Sequence, residues 1–416
     1  MTIRKYGAGI VLTLMILFLL SAMLLLAFSD GGFDQNAVLV AVVFGAAIVL
    51  QYNILKTAFR HIDRFALLVA DFLCILSVVM MYRLDGSIPT RQLTFILVGN
   101  IVMIITMLVI KRTHNFGKAN TVFMVLGIGM LMLTFAMANV IGGAKNWLSI
   151  GGFTIQPSEF VKILFLIVSA YYLSAKKRKR EMWPYFVFTI LCVGILVMSR
   201  DLGAALLFAG TFLIVFFVAT GNILITLGSV AAFAGGAYLA YKIFPHVRTR
   251  VEIWQDPWAT YNDNGYQVVQ GLLAIASGGM IGTGLGLGMP ETVPMVHTDY
   301  IFAAICEEFG IIVAIAIIAM YLVFVIRGIL IAMDARAKFD KLLVFGATIM
   351  LALQSFIIMA GVTKLIPLTG ITLPFVSYGG SSMLSSMMLL GLIEGVALKN
   401  GEQDEAELRE MGGGIE

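Results

Sequence analysis

The chain has 416 residues, 60% hydrophobic and 12% charged, with 28 Lys and Arg against 24 Asp and Glu. A soluble domain carries about twice that charged fraction, so an ordinary water-soluble enzyme is excluded. Apolar runs of about 20 residues recur along the length, each long enough to cross a bilayer as a helix, and no run shows the alternation of a barrel strand.

The reading is an all-α, polytopic membrane protein with twelve spans. In chain order they are approximately 8–28, 36–55, 64–82, 91–110, 120–141, 158–174, 184–199, 202–220, 222–241, 299–326, 341–363 and 376–398. The first run, "AGIVLTLMILFLLSAMLLLAF", follows Arg4 and Lys5. It is too long for a signal-peptide core and has no clean cleavage site, so it reads as an uncleaved span. With the N-terminus inside, 19 of the 28 Lys and Arg fall on the inside and 8 on the outside. That bias places both termini in the cytoplasm. The "KKRKR" run 176–180 reads as a topology anchor at the lipid surface, not as a nucleic-acid contact.

Three segments on the outer side are unusual. They are "GGAKNWLSIGGFTIQPSE" (142–159), a loop of more than fifty residues (242–298) between spans nine and ten, and "KLIPLTGITLPFVSYGGSS" (364–382). Each mixes Gly, Pro, aromatic and polar residues, and Trp147, Trp254 and Trp258 suit interfacial anchoring. The chemistry is therefore expected on the outer face. The closing "KNGEQDEAELREMGGGIE" reads as a solvated acidic tail, residues 399–416.

A charge at the centre of a span costs about 2.5–3.5 kcal/mol on insertion scales and marks a cavity or a pair. Glu159 and Lys162 are three apart at the start of span six and share a helix face. They read either as a self-neutralising pair or as a cation held toward a cavity, and we favour the second. Asp201 opens span eight, where the helix dipole favours a carboxylate. Asp299 opens its span after His297 and Thr298. There the dipole would lower its pKa and an apolar cavity would raise it. Glu307 falls on roughly the same face, deeper, and Glu308 points elsewhere. Both are expected to hold packing. Cys74, Cys192 and Cys306 lie in apolar runs with neither a disulfide framework nor metal spacing. "GTGLGLG" (282–288) follows no strand–helix pattern, so it is a weak nucleotide signal.

Five segments in order, "NWLSIGGFTIQPSEFVK", "DLGAAL", "GYQVVQGLLAIASGGMIGTGLG", "HTDYIFAAICEEFG" and "PLTGITLPFVSYGGSSML", resemble the signatures of the SEDS family, whose members include RodA, FtsW and SpoVE. The similarity covers roughly residues 64–398. It implies a peptidoglycan glycosyltransferase that polymerises lipid II, an undecaprenyl-diphosphate disaccharide-pentapeptide, beside a class B penicillin-binding protein, in elongation, division or sporulation. The family's essential aspartate falls on Asp299, its Glu and Lys of Q-P-S-E-x-x-K on Glu159 and Lys162, and its aspartate before Leu-Gly on Asp201. His297, Thr298, Ser377, Tyr378 and Gly379 belong to the same signatures and are expected at the site. Arg248 and Arg250, with Lys162, are the outer cations available to a leaving diphosphate, and a divalent cation (Mg or Mn) is possible on chemical and family grounds. Where the family commonly has Gln-Pro before Asp201, this chain has Ser199-Arg200, so that loop need not follow the family's shape. The family core has ten spans. Residues 1–60 therefore read as an added two-helix extension, 61–398 as the core and 399–416 as the tail. Rival readings are a lipid II flippase, whose path Glu307, Glu308 and Glu394 could line, and a scaffold. No related halves with broken helices are visible in the sequence.

Overall fold

The computed structural model describes all residues except 1–2, 29–31, 87, 114–118, 142–143, 151–152, 176–178 and 413–416. Fourteen α-helices occur among the described residues: α1 (Ile3–Ala27), α2 (Gln35–Ala58), α3 (Arg64–Leu84), α4 (Ile88–Arg112), α5 (Asn120–Met137), α6 (Pro157–Ser174), α7 (Trp183–Met198), α8 (Leu202–Thr220), α9 (Ile223–Ile243), α10 (Pro245–Gln255), α11 (Tyr266–Gly278), α12 (Ile301–Asp334), α13 (Lys338–Val362) and α14 (Gly380–Gly412). Eleven are long and apolar enough to cross a membrane, and α7 is a shorter apolar helix of 16 residues. These twelve match the expected spans one for one, and the protein is a multi-pass membrane protein. Part of the basic run proposed as a lipid anchor lies outside the described residues.

Local chemistry starts and stops the helices. Asp34, Asp63, Asp201 and Asn222 are N-caps whose side-chain oxygens accept first-turn N–H groups of α2, α3, α8 and α9. Gly221, at φ 63°, closes α8 in the left-handed conformation. The core helices α3, α6, α13 and α14 are mostly buried, whereas α9 buries almost nothing against the rest of the chain.

The all-α expectation needs one addition. Segment 139–155 is a three-stranded antiparallel sheet, β1 (Asn139–Ile141), β2 (Ala144–Ile150) and β3 (Phe153–Ile155), in the order β1-β2-β3. Its register pairs Asn139 with Trp147 and Leu148 with Ile155. Along β2, Ala144, Asn146 and Leu148 are buried and their neighbours less so, which is the period-two pattern of a strand. The long segment 242–298 is also ordered, and carries α10 and α11.

The helix α12 is interrupted. Gly310 has φ 79° and ψ 174° inside it, so the expectation of no broken helix does not hold. The "GTGLGLG" segment repairs the break. Thr283 N–H and Gly284 N–H donate to the carbonyls of Glu307 and Glu308, and Ile311 N–H donates to Gly279 O. Backbone groups freed at membrane depth are thereby satisfied within the protein. Contact this close needs glycine. A Cβ on Gly282 would lie 2.2 Å from Glu308 O, and one on Gly310 would lie 2.3 Å from Gly282 N. The segment's glycines therefore serve packing.

The extension α1–α2 lies against the core. Phe18 rings meet Phe72 of α3 and Phe309 of α12. Within the bilayer region Gln51 of α2 donates to Asp71 Oδ1 at 3.2 Å and accepts from Asn100 at 2.7 Å. The tail also differs from expectation, for α14 continues as helix to Gly412. Its acidic residues pair with three other elements: Lys111 with Glu402, His61 with Glu405, and Arg336 with Asp404 and Glu407.

Candidate active site

A cavity of about 1230 Å³ opens where the sheet, α10 and the turns before α8, α12 and α14 converge. Of the expected residues, Glu159, Lys162, Asp201, Arg250, His297, Thr298, Asp299, Tyr378 and Gly379 all line it. Trp147 and Trp254 line it too, with Trp254 Nε1 donating to Lys364 O at 3.0 Å. They are cavity wall where interfacial anchoring was expected, while Trp258 remains exposed.

Two expected residues are elsewhere. Arg248 is exposed, lies over the Tyr241 ring and donates to Lys242 O. It is two residues from Arg250 on α10, and helix positions i and i+2 do not share a face. Ser377 is buried behind the wall. Its hydroxyl accepts from Leu373 N–H at 2.8 Å and donates to Thr298 O at 2.6 Å. With Tyr378 N–H donating to His297 O at 2.9 Å, it ties the turn before α14 to the turn carrying Asp299.

Asp299 is half-buried in the turn preceding α12. Burial pushes its carboxyl up to about 6, against the pull of the Thr298 hydroxyl and Arg250, while Asp201 adds a further upward push. Desolvation thus outweighs the groups that favour the charged form. Because Asp299 precedes the helix, helical spacing from it to Glu307 does not apply. Glu307 lies off the cavity and accepts Met289 N–H at 2.8 Å, and Glu308 accepts Arg83 Nε at 2.7 Å. Glu394 likewise accepts Asp63 N–H at 2.8 Å. All three hold packing.

Asp201 has both expected features. It caps α8 by accepting Ala204 N–H at 3.1 Å, and its other oxygen accepts from Asn146 and Gln156, each at 3.2 Å. Burial raises its pKa, and the Ala204 N–H and Asn146 oppose the rise. The preceding residue, Arg200, sits at φ 62°, a conformation closed to proline. The departure from Gln-Pro therefore does change the loop, and leaves the carboxylate in the cavity.

Lys162 reaches the cavity wall, but its ammonium is engaged by Glu159 Oε1, Glu159 Oε2 and Gln354 Oε1, each at 2.8 Å. Ser385 donates to Glu159, and Gln354 donates to Thr372 O at 2.9 Å. An incoming anion would have to displace one of these acceptors. Arg250 is freer. It donates to Leu368 O at 3.1 Å and feels both Asp201 and Asp299. Burial, then Arg200 and Arg250, lowers the pKa of His246.

The sequence reading missed Asn146, Gln156, Arg200, His246 and Gln354. Gln156 and Asn146 lie inside a segment already singled out, and Arg200 adjoins Asp201. His246 and Gln354 carry no local signal.

Residues 56–402 match the profile of the FtsW/RodA/SpoVE cell cycle proteins. The peptidoglycan glycosyltransferase RodA of Mycobacterium tuberculosis is 36% identical over 383 residues, spanning 84% of this chain and 82% of that protein. FtsW of Geobacter metallireducens is 32% identical over 368 residues, 83% of this chain and 97% of its own. Among solved structures, a chain of a peptidoglycan synthase complex superposes with TM-score 0.67 at 24% identity, over 82% of this chain and 98% of its own. Thermus thermophilus RodA superposes with TM-score 0.61 at 23% identity, over 81% and 96%. At those identities the structures speak for the fold alone. The family match spans most of the chain and includes every cavity-lining segment, and the chain belongs to the FtsW/RodA/SpoVE family.

Proposed function

We propose that this protein is a peptidoglycan glycosyltransferase that polymerises lipid II into glycan strands at the outer face of the plasma membrane, with both termini in the cytoplasm. The observation that carries the reading is Asp299, half-buried beside Arg250 in a cavity of about 1230 Å³. That volume exceeds the range of about 300–1,000 Å³ typical of small-ligand sites, as a disaccharide with its diphosphate requires.

The transfer moves a sugar from a diphosphate leaving group to a hydroxyl of a second lipid-linked sugar. The Asp299 carboxylate accepts the proton of the attacking hydroxyl, and a base with a pKa near 6 is ionised at neutral pH yet basic enough to help. The new glycosidic bond forms as the bond to the diphosphate breaks, in one inverting displacement that needs no covalent intermediate. Arg250 lies where negative charge grows on the leaving group. Asp201 holds Asn146 and Gln156 against the cavity wall, and the Lys162–Glu159–Gln354 network supports its floor.

No group of three or more His, Cys, Asp or Glu side chains able to hold a metal ion occurs among the described residues. The divalent cation of this proposal is therefore one that arrives on the substrate's diphosphate, a mode in which one or two carboxylates suffice. The partner proposed is a class B penicillin-binding protein. Lipid II flipping has one observation in its favour, the interrupted α12, but that break is sealed by backbone hydrogen bonds and Glu307, Glu308 and Glu394 do not line this cavity. The test is purified protein with lipid II, with and without its cognate transpeptidase. Glycan chains are expected, and translocation of lipid II without polymer would overturn the reading.

A further inference from the structure

Arg200 occupies a position where the backbone asks for glycine. Arg200 N–H donates to Val197 O at 3.0 Å and Asp201 N–H donates to Leu196 O at 2.9 Å. These paired bonds close α7 around one left-handed residue, the usual place of a glycine. Lys145 N–H of β2 donates to Ser199 O at 2.9 Å and fixes the turn to the sheet. An arginine here accepts strain, and the residue, exposed, stands in the lining of the cavity.

That side chain is also uncommitted. Arg83, Arg327 and Arg336 each bind a carboxylate, whereas the Arg200 guanidinium forms no ion pair among the described residues. The adjacent carboxylate does not neutralise it, because Asp201 directs its oxygens to Ala204 N–H, Asn146 and Gln156. Beside Arg200 stand Arg250, which forms no ion pair among the described residues, and His246, whose buried Nε2 has no hydrogen-bond partner. Two guanidinium groups that form no ion pair among the described residues and an imidazole with an unpartnered Nε2 thus occur together in the cavity lining.

We propose that Arg200, Arg250 and His246 form a grip for a diphosphate, with Arg200, in the Ser199-Arg200-Asp201 turn, as a substrate-positioning residue. The inference rests on the glycosyltransferase reading and deepens it. The left-handed backbone of Arg200 sets this exposed residue in the cavity lining and at the same time places Asp201 against its amide partners. One strained residue therefore organises both an anion contact and a carboxylate.

Two variants separate charge from backbone. Arg200→Gly suits the left-handed turn and removes the guanidinium, so it is expected to keep the parent Tm. Arg200→Lys keeps a cation. The full chain is placed in phosphatidylcholine nanodiscs, and Trp147 and Trp254 in the cavity wall report inorganic diphosphate by fluorescence. Arg200→Gly should weaken diphosphate binding about tenfold, the scale of one charge-assisted contact. It should raise KM for lipid II similarly, with kcat within about twofold. Arg200→Lys should fall between. Parent-like diphosphate binding and KM in Arg200→Gly would overturn the grip. So would competition by phosphatidylglycerol nanodiscs that depends on Arg200, since a lipid headgroup would then be the ligand. A parent that polymerises lipid II without binding diphosphate removes the grip and leaves the enzyme. A parent that binds diphosphate through Arg200 but makes no glycan with its partner removes the enzyme reading alone.

Discussion

Lys162 is held by both carboxylate oxygens of Glu159 at 2.8 Å, with the pair almost wholly out of water on the first turns of α6. Removing one partner strands a charge. Glu159→Gln or Lys162→Met alone is therefore expected to cost about 3–5 kcal/mol, and the double variant to regain most of it. Because Gln354 and Ser385 are bonded into the same network, the double variant should fold and still make glycan at least about tenfold more slowly. Near-normal synthesis by the refolded double variant would leave the pair a structural brace only. Thermal melts and glycan assays on the three variants make the comparison.

Asp299→Asn keeps the size of the side chain and removes the base. Loss of about 10²–10⁴-fold in polymerisation is expected, with normal membrane insertion and partner binding. Comparable glycan synthesis by the variant would take Asp299 out of the mechanism.

The acid limb of the pH profile should report the same carboxyl. Only the ionised form accepts a proton, so kcat/KM is expected to fall as pH drops through about 6. Asp201 pushes that value up and Arg250 pulls it down. Asp201→Asn should move the limb to lower pH and Arg250→Gln to higher pH. Shifts of the same sign in both variants would contradict the assignment.

Removing α1–α2 takes Gln51 away from Asp71 and Asn100. Intramembrane hydrogen bonds of this kind are worth about 0.6–2 kcal/mol. The truncated chain is expected to melt earlier yet keep polymerase activity, since no residue of the extension lines the cavity. A correctly inserted, folded truncation without activity would contradict this.

Gly282→Ala tests the repair of α12. Gly282 has φ 85°, and the added methyl would meet Glu308 O and the Phe309 backbone. A loss of about 2–4 kcal/mol is expected, visible as a lowered Tm in detergent. An unchanged Tm would mean the loop can part from the helix without consequence.

The twelve spans were legible because a run of about 20 apolar residues leaves few alternatives. The convergence of Glu159, Asp201 and Asp299 was legible through the SEDS signatures, and Arg250 through its place on the outer side, while the cost of charge beside lipid said only that such groups pair or line a cavity. The sheet was not recognised, although Gly151-Gly152 between short alternating runs is a hairpin signal. Arg248 was grouped with Arg250 because no helix had been assigned to that loop, so their opposite faces were invisible. The interruption at Gly310 depends on a partner segment some thirty residues earlier, a tertiary fact with no local pattern. The left-handed Arg200 runs against propensity, and nothing short of the fold requires it.

The helix α14 joins the two ends of the molecule without a joint. Its 33 residues, at about 1.5 Å each, make a shaft of about 50 Å. Ser381 and Ser385 stand at its cavity end, and the collar of Lys111, Arg336 and His61 clasps the other. Ions loosen such exposed pairs, while the Ser385–Glu159 bond lies buried beyond their reach. A protein that seizes the acidic end would therefore apply torque to the cavity wall through a rod with no loop to absorb the twist.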